Sequence, residues 1–325
     1  MTTLEEIQKS IAAELDALNA RIEEQLGSSC PMINTIVENY LKTVGKQIRP
    51  IIVMLSAKMF AEVTPRVISG AAAVELLHNS SLIHDDVVDE SKLRRGQPTI
   101  NSIWDNHIAV LVGDYFVSVA LQQAISTNDL RIIATISELG KMLSQGELDQ
   151  IYNARYHTIT EQAYFDIIDR KTASLFVACA RIGCYSVDAD EESTEKLVRF
   201  TKLLGECFQI KDDIFDYLAS DSQIGKPVGN DLREGKITLP LLYALEHSQL
   251  PEREAMVELS RTEALSEEDI QRLIEFTIAS GGIDYATAVM HRLRAEGSAI
   301  METLPQSDVT RAFMSVFDYI ISRDK

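Results

Sequence analysis

Proline is scarce in this chain, and between Pro98 and Pro227 there is none. That gap, with only 15 glycines overall, argues against collagen-like or low-complexity architecture and leaves room for long helices. Cysteine is scarce as well. Cys30, Cys179, Cys184 and Cys207 show no C-x-x-C pairing and no accompanying histidine spacing, which argues against a zinc site or a disulfide framework. Basic residues number 31 against 49 acidic ones, a formal charge of −18. So acidic a chain lacks the basic footprint of non-specific nucleic-acid binding, and no nucleic-acid partner is expected. No apolar run approaches the roughly 20 residues that cross a bilayer, and the amphipathic segment from Met1 to Leu26 has no signal-peptide pattern. The expectation is a cytoplasmic protein without a membrane span.

What is present is helical periodicity. Apolar residues make up 46% of 325 residues, ample for a sizeable core. Leu111, Val112, Tyr115, Phe116, Val119 and Ala120 recur at three- and four-residue spacing, as do Ile132, Ile133, Ile136, Leu139 and Leu143. Sustained two-residue alternation is missing. The reading is an all-α single domain over 1–325, about a dozen helices and no sheet, packed around helices that carry the motifs below. Thr64-Pro65 supplies an N-cap and a first-turn proline for a helix running through Asp89. Gly96-Gln97-Pro98 follows it, Gly225 to Asn230 reads as a long loop, and Ser280-Gly281-Gly282 as a weaker break. The motif-bearing part spans about 45–240, and helices over 245–325 read as structural support.

Two clusters carry the chemistry: Asp85-Asp86-Val87-Val88-Asp89 and, 127 residues further on, Asp212-Asp213-Ile214-Phe215-Asp216. Each is D-D-x-x-D in an apolar helical segment, so its first and last carboxylates lie one turn apart on one face. Acids near a helix C-terminus oppose the macrodipole by about 0.3–1 kcal/mol each, so a cation is implied. Mg²⁺ suits hard oxygen donors completed by substrate phosphates. Arg94-Arg95, five residues past the first cluster, can grip diphosphate oxygens in bidentate fashion. Lys46 and Arg49 sit at the start of an apolar helix, where oxyanions are favoured. Lys171-Thr172 lies within an apolar helix, and Lys226 and Lys236 bracket the glycine-rich loop; these suggest a second anion-binding wall. Glu75 and His78 match one half of a di-iron E-x-x-H arrangement, but no second pair exists in the chain.

In this order the blocks G-K-x-x-R-P, H-x-x-x-x-x-H-D-D-x-x-D-x-x-x-x-R-R-G, G-D, K-T, F-Q-x-x-D-D-x-x-D and G-K…D…G-K-x-T-L-P resemble the trans-type polyprenyl diphosphate synthases over about Lys46 to Pro240. The resemblance implies an isoprenoid synthase fold, an all-α bundle around a central apolar cavity, and a homodimer. It implies Mg²⁺ on Asp85, Asp89 and Asp212, with Asp86, Asp213 and Asp216 supporting. It assigns isopentenyl diphosphate to Lys46, Arg49, His78 and Arg95. The allylic diphosphate, farnesyl or geranyl, goes to Arg94, Lys171, Thr172, Gln209, Lys226 and Lys236. In short-chain relatives bulky aromatics one turn before the first aspartate stop the growing tail. Here Ser80 and Ser81 stand there, with Leu77 and Val74 deeper, so a medium- to long-chain product is expected. A short-chain synthase, a terpene cyclase and a subunit of a heteromeric synthase are the alternatives.

Overall fold

A computed structural model describes residues 3–42, 45–94, 96–218, 228–262 and 264–323. The chain packs as two compact units. One comprises Met1–Lys141, Leu175–Thr201 and Ile300–Val316; the other comprises Met142–Ser174, Lys202–Ala299 and Phe317–Lys325.

The first unit is built around the helix Pro65–Val88. Thr64 is its extended N-cap and Pro65 its first residue, as the spacing predicts. Residues on every side of it are buried, from Val67 through Ala71, Ala72 and Val74 to Leu77 and Ile83. A helix apolar on all faces needs neighbours all round, and it has them in Ala12–Leu26, Ile48–Lys58 and Asn106–Ser126. Close approach to the last of these depends on Gly113, where a Cβ would lie 2.2 Å from Nε2 of His84.

The second unit collects its core from Tyr217, Leu232, Leu241, Leu273 and Phe276. Its helices include Leu239–His247, Arg253–Leu259 and Glu267–Ala279. The break at Ser280-Gly281 appears where expected: Ser280 closes one helix, and Gly281 takes φ +77°, a left-handed turn that suits glycine.

The all-α reading holds, with single turns such as Ile100–Ile103 and Asn230–Arg233 standing as separate elements. Other expectations need correction. A sheet does exist, a two-stranded antiparallel ribbon of Leu93–Arg94 and Gln97–Pro98 turning through Gly96 at φ +75°. Strands of two residues carry no periodicity to read. The helix Asn106–Ser126 is also long and apolar enough, by length and composition alone, to cross a membrane. Gly113-Asp114 interrupts the run in sequence but not the helix. Of the loop read over Gly225 to Asn230, residues 225–227 lie outside the described residues, Val228 and Gly229 form a turn, and Asn230 instead opens the helix Asn230–Arg233.

Candidate active site

In the first unit, the helix Pro65–Val88 ends in the first aspartate cluster. Asp85 and Asp89 are half-buried, and the Asp89 N–H donates to the Asp85 carbonyl at 2.8 Å as the helix closes. Asp86 points elsewhere. It is buried, and Arg94 donates to its carboxylate from Nε at 2.9 and 3.0 Å and from Nη2 at 2.8 Å. Burial works against the Arg94 charge, yet Asp86 outweighs it and the guanidinium pKa is raised. The ribbon of Leu93–Arg94 thus carries the arginine back onto its own motif.

The other first-unit residues fall around this helix. His78 is buried, and its carbonyl accepts from Oγ of Ser81 at 2.9 Å. Ser80 is buried and donates from Oγ to the Gly113 carbonyl at 2.9 Å. Leu77 and Val74 are buried below it, while Ser81 is half-buried. Lys46 is exposed just before the helix Ile48–Lys58; Arg49, in its first turn, lies 5.8 Å from the Phe176 ring centroid. Arg95 lies outside the described residues.

In the second unit, the last turns of the helix Glu191–Leu218 carry Asp212, Asp213 and Asp216. Asp213 is buried and accepts from the Tyr164 hydroxyl at 2.6 Å and from Nε2 of Gln209 at 2.8 Å. Burial pushes its pKa up to about 7, against those two bonds. Gln209 in turn accepts from Oγ1 of Thr172 at 2.7 Å. Asp216 accepts the backbone N–H groups of Asn230 at 3.0 Å and Asp231 at 2.9 Å. Asp212 is more open, with 40% of its side chain exposed, and receives Nη2 of Arg323 at 2.5 Å.

Lys171 and Thr172 sit in a π-helical turn, Asp169–Ala173, rather than in the regular helix expected. Such single turns carry one extra residue and recur at functional sites. Lys171 pairs with Glu147, and Lys236 with Glu234. Lys171, Thr172, Gln209, Asp213, Lys236 and Tyr164 line one pocket that opens to solvent. Lys226 lies outside the described residues.

The motif carboxylates differ in what they bond, and Asp212 pairs with Arg323. Asp86, Asp213 and Asp216 spend their oxygens on Arg94, on Tyr164 and Gln209, and on backbone N–H groups. Among the described residues no three His, Cys, Asp or Glu side chains converge as one ligand set. A hard divalent cation bound through one or two carboxylates and completed by phosphate oxygens needs no more, so the donors fit Mg²⁺.

Sequence reasoning missed Tyr164, Arg323 and Gly146. Tyr164 and Arg323 stand in stretches that read as ordinary amphipathic helix and gave no signal. Gly146, inside the helix Leu130–Tyr156, did give one, since a glycine mid-helix usually marks close packing. A Cβ there would meet the Lys171 backbone nitrogen at 2.9 Å.

The profile of the Polyprenyl synthetase family matches residues 30–277. The chain is 33% identical to the octaprenyl diphosphate synthase of Escherichia coli K12 over 322 residues, 99% of each chain. It is similar to the crystal structure of a polyprenyl synthase from Caulobacter crescentus CB15 complexed with calcium and isoprenyl diphosphate. That likeness has a TM-score of 0.93 and 30% identity, covering 100% of this chain and 99% of that one. A geranylgeranyl pyrophosphate synthase from Bacteroides thetaiotaomicron aligns with TM-score 0.84 and 36% identity over 98% of each chain. Motif order, the all-α isoprenoid synthase fold and full-length similarity agree: the chain belongs to the polyprenyl synthetase family and is a trans-prenyltransferase.

Proposed function

We propose that this enzyme uses Mg²⁺ to condense isopentenyl diphosphate with an allylic diphosphate, geranyl or farnesyl, head to tail. The product is an all-trans polyprenyl diphosphate of thirty carbons or more, released with pyrophosphate. The observation that carries this reading is the pair of D-D-x-x-D motifs at two helix ends, with Asp86 bonded to Arg94, Asp213 to Tyr164 and Asp216 to backbone N–H groups. Asp85, Asp89 and Asp212 would take the cation, Asp212 beside Arg323.

Bound Mg²⁺ would draw charge from the leaving diphosphate and favour ionisation of its C–O bond to an allylic cation. Lys171, Lys236 and Arg94 would bind phosphate oxygens as fixed positive charges. Thr172 orients Gln209, and Gln209 holds Asp213. Lys46, Arg49, His78 and Arg95 would hold isopentenyl diphosphate, so that its double bond attacks as a positioned partner rather than by chance encounter. Lys226 would join the allylic set.

Small side chains at Ser80 and Ser81 support the long product, as does the likeness to the octaprenyl synthase. The likeness to a geranylgeranyl synthase favours a second reading, a product of twenty carbons. A homodimer formed through Asn106–Ser126 is supported by the exposed Leu111 and Ile125, because large exposed apolar residues on one helix favour a covering partner. The cytoplasm is the proposed location.

The test is the product ladder from labelled isopentenyl diphosphate, farnesyl diphosphate and Mg²⁺, resolved by length after dephosphorylation. Products of thirty carbons or more are expected. A ladder ending at twenty would establish the second reading, and no elongation by folded protein would overturn the synthase assignment.

A further inference from the structure

We infer that Asn19 and Gln8, in the N-terminal helices, are positioning residues for the turn that carries Lys46 and Arg49. This rests on the reading of that turn as the isopentenyl diphosphate site.

The turn has an unusual backbone. Gln47, the residue before the helix Ile48–Lys58, adopts φ 52° and ψ 36°, a left-handed conformation disfavoured for a side chain with a Cβ. Its side chain does not cap the helix. Instead Nε2 of Gln47 donates to Oδ1 of Asn19 at 2.8 Å. One residue earlier, the Lys46 carbonyl accepts from Nε2 of Gln8 at 3.0 Å. At the far end of the same helix, Lys58 pairs with Glu14 at 2.6 Å. The helices Leu4–Ser10 and Ala12–Leu26 therefore grip Ile48–Lys58 at both ends. Two of the three links fall on the turn rather than on the helix body.

This arrangement has a directional consequence. A left-handed residue between Lys46 and Arg49 sets the direction in which the chain enters the helix, and so the angle between the two cationic side chains. Loss of the Asn19 bond would remove a contact that holds Gln47 left-handed, and relaxation toward the commoner regions would swing Lys46 away. An anion site built from two cations on either side of such a residue is sensitive to displacements near an ångström.

The experiment compares wild type, Asn19→Ala, Gln8→Ala and the double variant Asn19→Ala with Gln47→Gly. The readouts are KM for each substrate, kcat, and the dissociation constant of isopentenyl diphosphate by calorimetry. Asn19→Ala is expected to raise KM and Kd for isopentenyl diphosphate about tenfold, leaving kcat and the allylic KM within about twofold. Gln8→Ala should act in the same direction but more weakly. Glycine adopts the left-handed region freely, so Gln47→Gly should restore isopentenyl diphosphate affinity in the Asn19→Ala background. Unchanged affinity in Asn19→Ala, or a parallel loss in every parameter that Gln47→Gly does not rescue, would overturn the inference. Wild type that binds isopentenyl diphosphate without elongating would overturn the functional reading, and the Kd comparison would still decide this one. A wild type that does not bind it overturns both.

Discussion

Arg323, the third-last residue of the sequence, donates to the first aspartate of the second motif: its Nη2 lies 2.5 Å from Oδ1 of Asp212 and 3.0 Å from the Phe208 carbonyl. The guanidinium stacks on Phe208, 4.2 Å from the ring centroid, and its side chain is only 8% exposed. A largely buried, charge-assisted bond of this kind contributes about 1–3 kcal/mol. Arg323→Met keeps much of the packing and removes the charge, so it should lower unfolding stability by that amount in urea titrations. An unchanged midpoint and slope would mean that the contact contributes nothing.

The two adjacent aspartates of the first motif should respond differently to alanine. Asp85→Ala is expected to cut turnover by about three orders of magnitude or more with the fold retained, because Asp85 is only half-buried whereas Asp86 is buried against Arg94. Asp86→Ala strands Arg94 and should destabilise the fold by about 1–2 kcal/mol, discounted for the partial exposure of the arginine. Steady-state rates and thermal melts of both proteins check the contrast, and identical behaviour would contradict it.

Gly146 sits where the helix Leu130–Tyr156 meets the π-turn, with a prospective Cβ 2.9 Å from the Lys171 nitrogen and 3.1 Å from the Arg170 Cβ. Alanine would gain about 1 kcal/mol of helix propensity. Overpacking against backbone loses about 1–3 kcal/mol, and backbone cannot yield as a side-chain tip can. The clash should dominate: Gly146→Ala is expected to raise the allylic diphosphate KM about tenfold by shifting Lys171 and Thr172. A gain in melting temperature with normal kinetics would show that the turn has room.

Glu206 lies buried beside Asp169, with Lys202 bridging the pair at 2.7 Å to Asp169 and 3.3 Å to Glu206. Burial, then the Asp169 carboxylate, pushes its pKa up to about 8 despite the pull of Lys202. A carboxyl raised from about 4.3 unfolded holds its proton in the folded state, so its contribution is full below that value and fades as pH rises toward 8. Wild type should therefore lose about 1–3 kcal/mol relative to Glu206→Gln between pH 5 and 8. Melting curves across that range check it, and parallel curves would refute it.

Ser80 and Ser81 are no longer equivalent probes of product length. Oγ of Ser80 is 2.9 Å from the Gly113 carbonyl, so phenylalanine there would collide with a neighbouring helix and destabilise the protein. Ser81 is half-buried, and its hydroxyl donates to the His78 carbonyl of its own helix. Ser81→Phe should shorten the main product while the protein stays folded. An unchanged ladder would mean that the tail does not pass this turn.

The features legible along the chain are those with local causes. Aspartates four apart share a helix face, Thr64-Pro65 opens a helix, and Ser280-Gly281 ends one, because caps and periodicity act within a turn or two. The ribbon at Leu93–Pro98 was not legible, since strands of two residues leave no pattern. Nor was the use of each aspartate. Asp213 is held by Tyr164 from 49 residues away and Asp212 by Arg323 from 111. The π-turn under Lys171 likewise depends on Gly146 of another helix. Residue type and short-range spacing were enough to establish the helical fold, the motifs and the family chemistry. Which partner each carboxylate takes depends on residues that folding alone brings within hydrogen-bond reach.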